Sequence, residues 1–229
     1  MKRLLLLIGC CLTLCGCGAT ESEADKAVRF VEDKYGIQVD SYSEGFSDGD
    51  SIPVECRLAS GDASGEASGD SFTVWYSGNG KYQDDYFVRS IKDEIVGYYK
   101  DFINADCKVF INDLGFKAVS NEFDKDSSYE DLLESDYKSV IDVFVNADSV
   151  ENENELYTSI SQELGLRGIN AELSVYFVMP QAFADLNDES YSEAINSIYD
   201  SESKWCSIMS CKFDATEDGV NLNVTPVKG

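Results

Sequence analysis

Between residues 171 and 180 every second side chain is apolar. Ala171, Leu173, Val175, Phe177 and Met179 share one face of an extended strand, and Pro180, which has no amide hydrogen to give a ladder, ends it. A period of two fixes register strictly, because a one-residue slip would turn every apolar side chain out of the core. The same alternation recurs at Ile52, Val54, Cys56 and Leu58, at Phe72, Val74 and Tyr76, at Cys107, Val109 and Ile111, and at Ile141, Val143 and Val145. With a strand starting near Ile37 and Val39, the first of these form an antiparallel three-stranded meander. A final hairpin is expected from residues 204–213 and 219–225.

Helical spacing is interleaved with these strands. Ala24, Ala27, Val28 and Val31 lead to Tyr35, where Gly36 supplies a stop. Phe87, Ile91, Ile95, Tyr98 and Phe102 predict one long amphipathic helix over 83–104, its stripe packed on the sheet. A short helix is expected at Tyr129–Leu133. Another carries Leu156, Ile160 and Leu164, with Asn152 and Glu155 at its start and Gly165 at its end, and a last one carries Tyr191, Ile195 and Ile198. Mixed elements with meanders at both ends indicate an α+β fold, mainly antiparallel sheet with packed helices.

The length suits two similar-sized modules packed together, residues 24–118 and 119–229, although one packed domain is also open. The second half is the more acidic. Between the second and third strands lies SGDASGEASGD, residues 60–70, which has no apolar side chain larger than Ala and reads as a solvated loop.

At the other extreme of polarity, Lys2 and Arg3 precede an apolar run that starts at Leu4 and ends in Leu14-Cys15-Gly16-Cys17. The run is shorter than the roughly 20 residues a bilayer-spanning helix needs. It resembles the signal peptide of bacterial lipoproteins, in which a small residue precedes an invariant Cys and a Leu stands three positions before it. The resemblance implies a signal peptide at 1–16, lipidation at Cys17 with palmitate, and a short tether at 17–23 that reaches about 20 Å when extended. It further implies an extracytoplasmic protein, lipid-anchored to a bacterial cell membrane. The body resembles small envelope lipoproteins only in this organisation, so no further site residue carries over.

Charge then excludes whole classes of partner. With 18 basic against 43 acidic side chains the chain carries −25, which is incompatible with counterion-releasing contacts to phosphate backbones, so nucleic acid is excluded as a partner. The protein has no His. Ser-His and Cys-His catalysis are therefore absent, and an enzyme would need a carboxylate pair, Lys, Tyr or a hard cation. No catalytic motif, cofactor-binding motif or metal-ligand spacing is present in the sequence.

Cys56, Cys107, Cys206 and Cys211 follow Cys17. A Cys206–Cys211 bridge along one strand would have to close about 16 Å, against the roughly 7 Å that a disulfide allows. Cys56 and Cys107 are the disulfide candidates, with buried free thiols the equal alternative. Asp124, Asp126, Ser128 and Glu130 resemble the first half of an EF-hand loop, but Tyr129 stands where Gly is required and Ser135 where a bidentate Glu is required. A turn before a helix accounts for them. Trp75 lies on the strand face opposite Phe72, Val74 and Tyr76 and is expected to pack beneath a helix, and Trp205 is the other aromatic singled out.

These features favour a non-enzymatic interaction or envelope role toward an unidentified envelope or extracellular protein. A small-solute or peptide-binding protein with a cleft between modules, and a carboxylate-dependent hydrolase, are the alternatives. The first calls for a free strand edge or apolar patch, the second for an enclosed pocket, and the third for carboxylates of raised pKa in a cleft.

Overall fold

The computed structural model describes residues 21–46, 51–59, 71–78, 80–112, 123–135, 137–205, 207, 209–216 and 219–226. Helix α1, Glu23–Tyr35, begins at a capping box. The Asp25 amide donates to the Ser22 hydroxyl at 3.0 Å, and the Ser22 amide donates to the Asp25 carboxylate at 2.9 Å. Hydrogen bonds from Ser22 and Tyr42 hold the Asp25 pKa down to about 2. Gly36, at φ +69°, closes the helix with its amide on Glu32, a left-handed conformation that costs Gly least.

The first sheet is β1 Val39–Glu44, β2 Ser51–Leu58, β3 Ser71–Ser77 and β4 Tyr82–Asp84, antiparallel and in chain order. Helix α1 lies on the face bearing Val54, Cys56, Phe72 and Val74. The meander thus has four strands, one more than the alternation suggested. The expected helix over 83–104 is divided: its first residues belong to β4, and α2 Tyr86–Ser90 and α3 Lys92–Phe102 meet at Ile91. The cause lies in Asp84 and Asp85. Both are buried and tied to the first sheet and α1, so helix can start only after them.

The second sheet is β5 Cys107–Ile111, β6 Ser139–Asn146, β7 Ala171–Val178, β8 Met209–Thr216 and β9 Gly219–Pro226, again in chain order. Only β6 and β7 are parallel, and the crossover between them contains α5, Glu153–Arg167. Helix α4, Tyr129–Glu134, precedes β6. The α5 side of the sheet buries Val143, Val175 and Phe213 with Leu156, Ile160 and Leu164. Its other side buries Phe110, Phe144 and Tyr176 beneath α6 Pro180–Asp185 and α7 Asp188–Ser197. Sheets covered on both faces lose the clean polar-apolar alternation, and β6 and β7 read that way.

Two boundaries move from their expected places. Helix α5 runs past Gly165 to a left-handed cap at Gly168, φ +63°, and Pro180 both ends β7 and opens α6 at its first turn. β8 begins at Met209, so Trp205 stands before the strand and not on it. The fold is α+β. One continuous core cluster joins Val31, Val54 and Val74 to Ile141, Val175 and Phe213, with Ile95, Tyr99 and Phe102 of α3 between them. Strand β5 lies before residue 118 and hydrogen-bonds to β6 after it, so a boundary at 118/119 passes through the second sheet. Cys56, Cys107 and Cys211 are buried free thiols, and Cys56 and Cys107 stand in different sheets. No helix among the described residues is long and apolar enough to cross a membrane.

Candidate functional site

Among the described residues strand β9 is the outer strand of the second sheet, and its one strand partner is β8. Its residues, from Gly219 to Pro226, include no charged side chain in a chain that is 27% charged. The register sets Val220 beside Ala215 and Leu222 beside Phe213, so both project on the α5 side of the sheet. Helix α5 presents Tyr157, Thr158, Ser161 and Gly165 toward them, and a groove of about 510 Å³ lies between. Leu222 is 40% exposed, although its strand neighbour Phe213 is fully buried.

Tyr157 forms the floor of this groove, with its ring edge-on to Phe177 at 6.0 Å. Its hydroxyl is buried beside the Cys211 thiol. Burial raises the pKa of both groups, that of Cys211 to about 12. At such a value the sulfur stays a thiol and is not a nucleophile. The groove offers apolar contact, amide and hydroxyl groups, and an unpaired strand edge, which are the elements of peptide recognition by strand addition.

A second hollow, of about 410 Å³, is lined by Phe123, Asp124, Asp126, Ser127, Asp131 and Glu134. It contains the segment that resembles half an EF-hand. Two of its four carboxylates, Asp124 and Asp131, hydrogen-bond to the chain itself. Asp124 accepts the amide of Asp126 at 2.9 Å, and Asp131 accepts the Ser128 amide at 2.7 Å in a second capping box, which lowers the pKa of Asp131. Among the described residues no group of three or more Cys, Asp or Glu side chains is arranged to hold a metal ion.

Carboxylates of raised pKa do occur, but away from both hollows. Asp85 accepts the Thr73 amide at 2.6 Å and Arg89 Nε at 2.7 Å, and burial outweighs the guanidinium and raises its pKa. Asp142 accepts the Tyr191 hydroxyl at 2.6 Å and Asn112 Nδ2 at 2.7 Å beneath α7, and burial again raises its pKa. A further buried carboxylate, set apart from those two, is Asp84, which accepts Lys34 Nζ and the Tyr35 hydroxyl, each at 2.8 Å. All three are at most 2% exposed. They tie elements together from buried positions.

Trp205 is buried beneath α7, with Lys204 Nζ 4.4 Å from its ring centroid. Trp75 is half-buried on the face of the first sheet opposite α1, and among the described residues it is in neither core cluster. Cys17 and Cys206 lie outside the described residues. The groove beside β9 escaped sequence reading because alternation reveals a strand's faces and not whether its edge is paired. Asp142 did leave a signal, a lone carboxylate among Ile141, Val143, Phe144 and Val145. Comparison of the chain with protein-family models, curated proteins and solved structures gave no match.

Proposed function

We propose that this chain is a lipid-anchored extracytoplasmic protein of a bacterial envelope that acts by docking another envelope or extracellular protein, without chemistry of its own. The observation that carries the docking reading is the uncharged outer edge of β9 beside the Leu222 groove. Outer strands are commonly blunted by charge, bulges or a covering element, and on a body of −25 this eight-residue edge carries no charge and has no second strand partner among the described residues, which supports pairing with an incoming strand. The anchor reading is supported by Leu14, Gly16 and Cys17 at the end of the apolar leader.

Two measurements test the two parts separately. Cys17→Ala is expected to abolish palmitate incorporation and release the protein from membranes, and unchanged labelling removes the anchor from the proposal. A photo-crosslinking amino acid at position 222, introduced in intact cells, is expected to give discrete protein adducts that the same probe at exposed Glu189 on α7 does not. Equal yields at the two positions would remove the docking surface.

A further inference from the structure

The end of the first sheet at which α1 begins carries the most exposed large apolar side chain of the described residues. Phe46 is 98% exposed and belongs to neither core cluster. Two contacts between β1 and α1 fix where it stands. The Val39 amide donates to the Glu32 carboxylate at 2.9 Å, and the Tyr42 hydroxyl donates to Asp25, so β1 runs back along α1 toward its first turn. The helical rise from Glu32 to Asp25 and the strand rise from Val39 to Tyr42 agree, each covering about 10 Å. Beyond Tyr42 the ladder continues to Gly45, whose amide donates to the Pro53 carbonyl at 2.8 Å. That adds about 10 Å of strand, whereas α1 extends only about 3 Å past Asp25, to Glu23. Phe46 therefore stands ahead of the first residue of α1, on the side from which the chain enters the helix. The β3–β4 turn shares this end, because the Ser77 amide donates to the Lys81 carbonyl at 3.0 Å and the Tyr82 hydroxyl lies 3.5 Å from Glu23.

The length of the tether says what this end meets. From Cys17 to Glu23 the chain reaches about 20 Å when fully extended, so a lipid on Cys17 holds the start of α1 within that distance of the bilayer. A ring that lies ahead of that start meets the surface at high effective concentration, as a linked second module meets its site. One phenyl ring would not hold a free protein at a membrane, but an acylated protein is already held and needs only to be oriented. Charge limits the kind of surface. The acidic groups described at this end are Glu21, Glu23, Asp25 and Glu44, and the basic ones are Lys26, Arg29 and Lys81. Glu21 pairs with Arg29 at 2.6 Å and Glu23 with Lys26 at 2.5 Å. Asp48 and Asp50 follow Phe46 in the sequence and lie outside the described residues. With no excess of positive charge to draw anionic headgroups, contact here has to be apolar.

We propose that this end of the first sheet is seated on a lipid surface of zwitterionic headgroups, with the Phe46 ring inserted among them. The inference rests on the anchor at Cys17 and is independent of the β9 groove.

The test uses the full-length acylated protein in phosphatidylcholine vesicles, with a photo-crosslinking amino acid at position 46, at position 78 on the β3–β4 turn, or at position 166 on α5. Leu166 is 82% exposed and so matches Phe46 in access, and a Cβ at Gly78 meets nothing within 4 Å, so a side chain fits there. Flotation with the vesicles is read first, and lipid adducts are then read by mass spectrometry. Probes at 46 and 78 are expected to mark lipid, and the probe at 166 is not. With the probe at 78, Phe46→Ser should lower the adduct yield about tenfold, as expected when one phenyl ring is no longer buried, and Phe46→Leu should retain it. Both variants should still float and keep the wild-type circular dichroism spectrum, and adding phosphatidylglycerol should not raise the yield. Equal marking from 46 and 166 in protein that floats, an undiminished yield in Phe46→Ser, or marking that requires phosphatidylglycerol would overturn the seat and leave the anchor standing. Protein that does not float although Cys17 is present would remove the anchor and the seat together.

Discussion

Lys34 donates to Asp84 at 2.8 Å where the Asp84 side chain is fully buried and that of Lys34 is 10% exposed. The pair joins the last turn of α1 to the end of β4, and the Tyr35 hydroxyl donates to the other Asp84 oxygen. Removing one partner of a buried pair leaves a charge without compensation, at a cost of about 3–5 kcal/mol. Lys34→Met is therefore expected to destabilise the protein by about 3 kcal/mol in urea denaturation. Adding Asp84→Asn should return most of that loss, because no unpaired charge then remains. A double variant as unstable as the single one would mean that the cost lies in lost packing.

Asp142 gives the opposite dependence on pH from that of a surface carboxylate. Burial raises its folded pKa above the unfolded value of about 3.9, so its contribution to stability is fully present below that value and is lost as pH rises through the folded pKa. Asp142→Asn removes this loss while leaving an oxygen to accept from Tyr191 and Asn112. The stability of Asp142→Asn relative to wild type is expected to increase from pH 3 to pH 7, measured by denaturation at fixed ionic strength. A difference that stays constant with pH would show that Asp142 titrates alike in both states.

The shared core makes a prediction about cooperativity. Because α3 packs against β5 and one cluster spans both sheets, unfolding should be a single transition. The two tryptophans report opposite halves, Trp75 on β3 and Trp205 beside α7. Trp75→Phe and Trp205→Phe, each retaining one reporter, are expected to give urea curves of equal width. Each curve should coincide with the circular dichroism transition of the same variant. Two separated midpoints within one variant would divide the molecule into independent units.

The same core explains which parts of the fold were legible in the sequence. Strands β2, β3 and β7 could be read directly, since local alternation and the core made the same demand at Val54, Val74 and Val175. Helix α1 could be read from its stripe and from Gly36. The break at Ile91 could not. The stripe from Phe87 to Phe102 continues through it, and only the distant partners of Asp84 and Asp85 stop helix from reaching back to residue 83. The groove was hidden for a related reason, because the apolar positions at Val220 and Leu222 read alike whether the strand is central or outermost. Trp75 was assigned to the correct face. Whether an element covers that face is a tertiary fact that no local pattern encodes.

Two glycines of α5 separate helix propensity from backbone conformation. Gly165 lies inside the helix, and a Cβ there would meet only Val220 Cγ2, at 3.8 Å, an ordinary contact. Gly168 caps the helix at φ +63°, where any Cβ is strained whatever the space around it. Gly165→Ala is expected to stabilise the protein by roughly 0.5–1 kcal/mol, and Gly168→Ala to destabilise it by about 1 kcal/mol, both read from denaturation midpoints at constant slope. Gly165 also lines the wall of the β9 groove, so the added methyl should make the groove shallower and reduce crosslinking from position 222 while the fold becomes more stable. A gain in stability with undiminished adduct yield would move the docked segment away from the α5 wall and onto the strand edge alone.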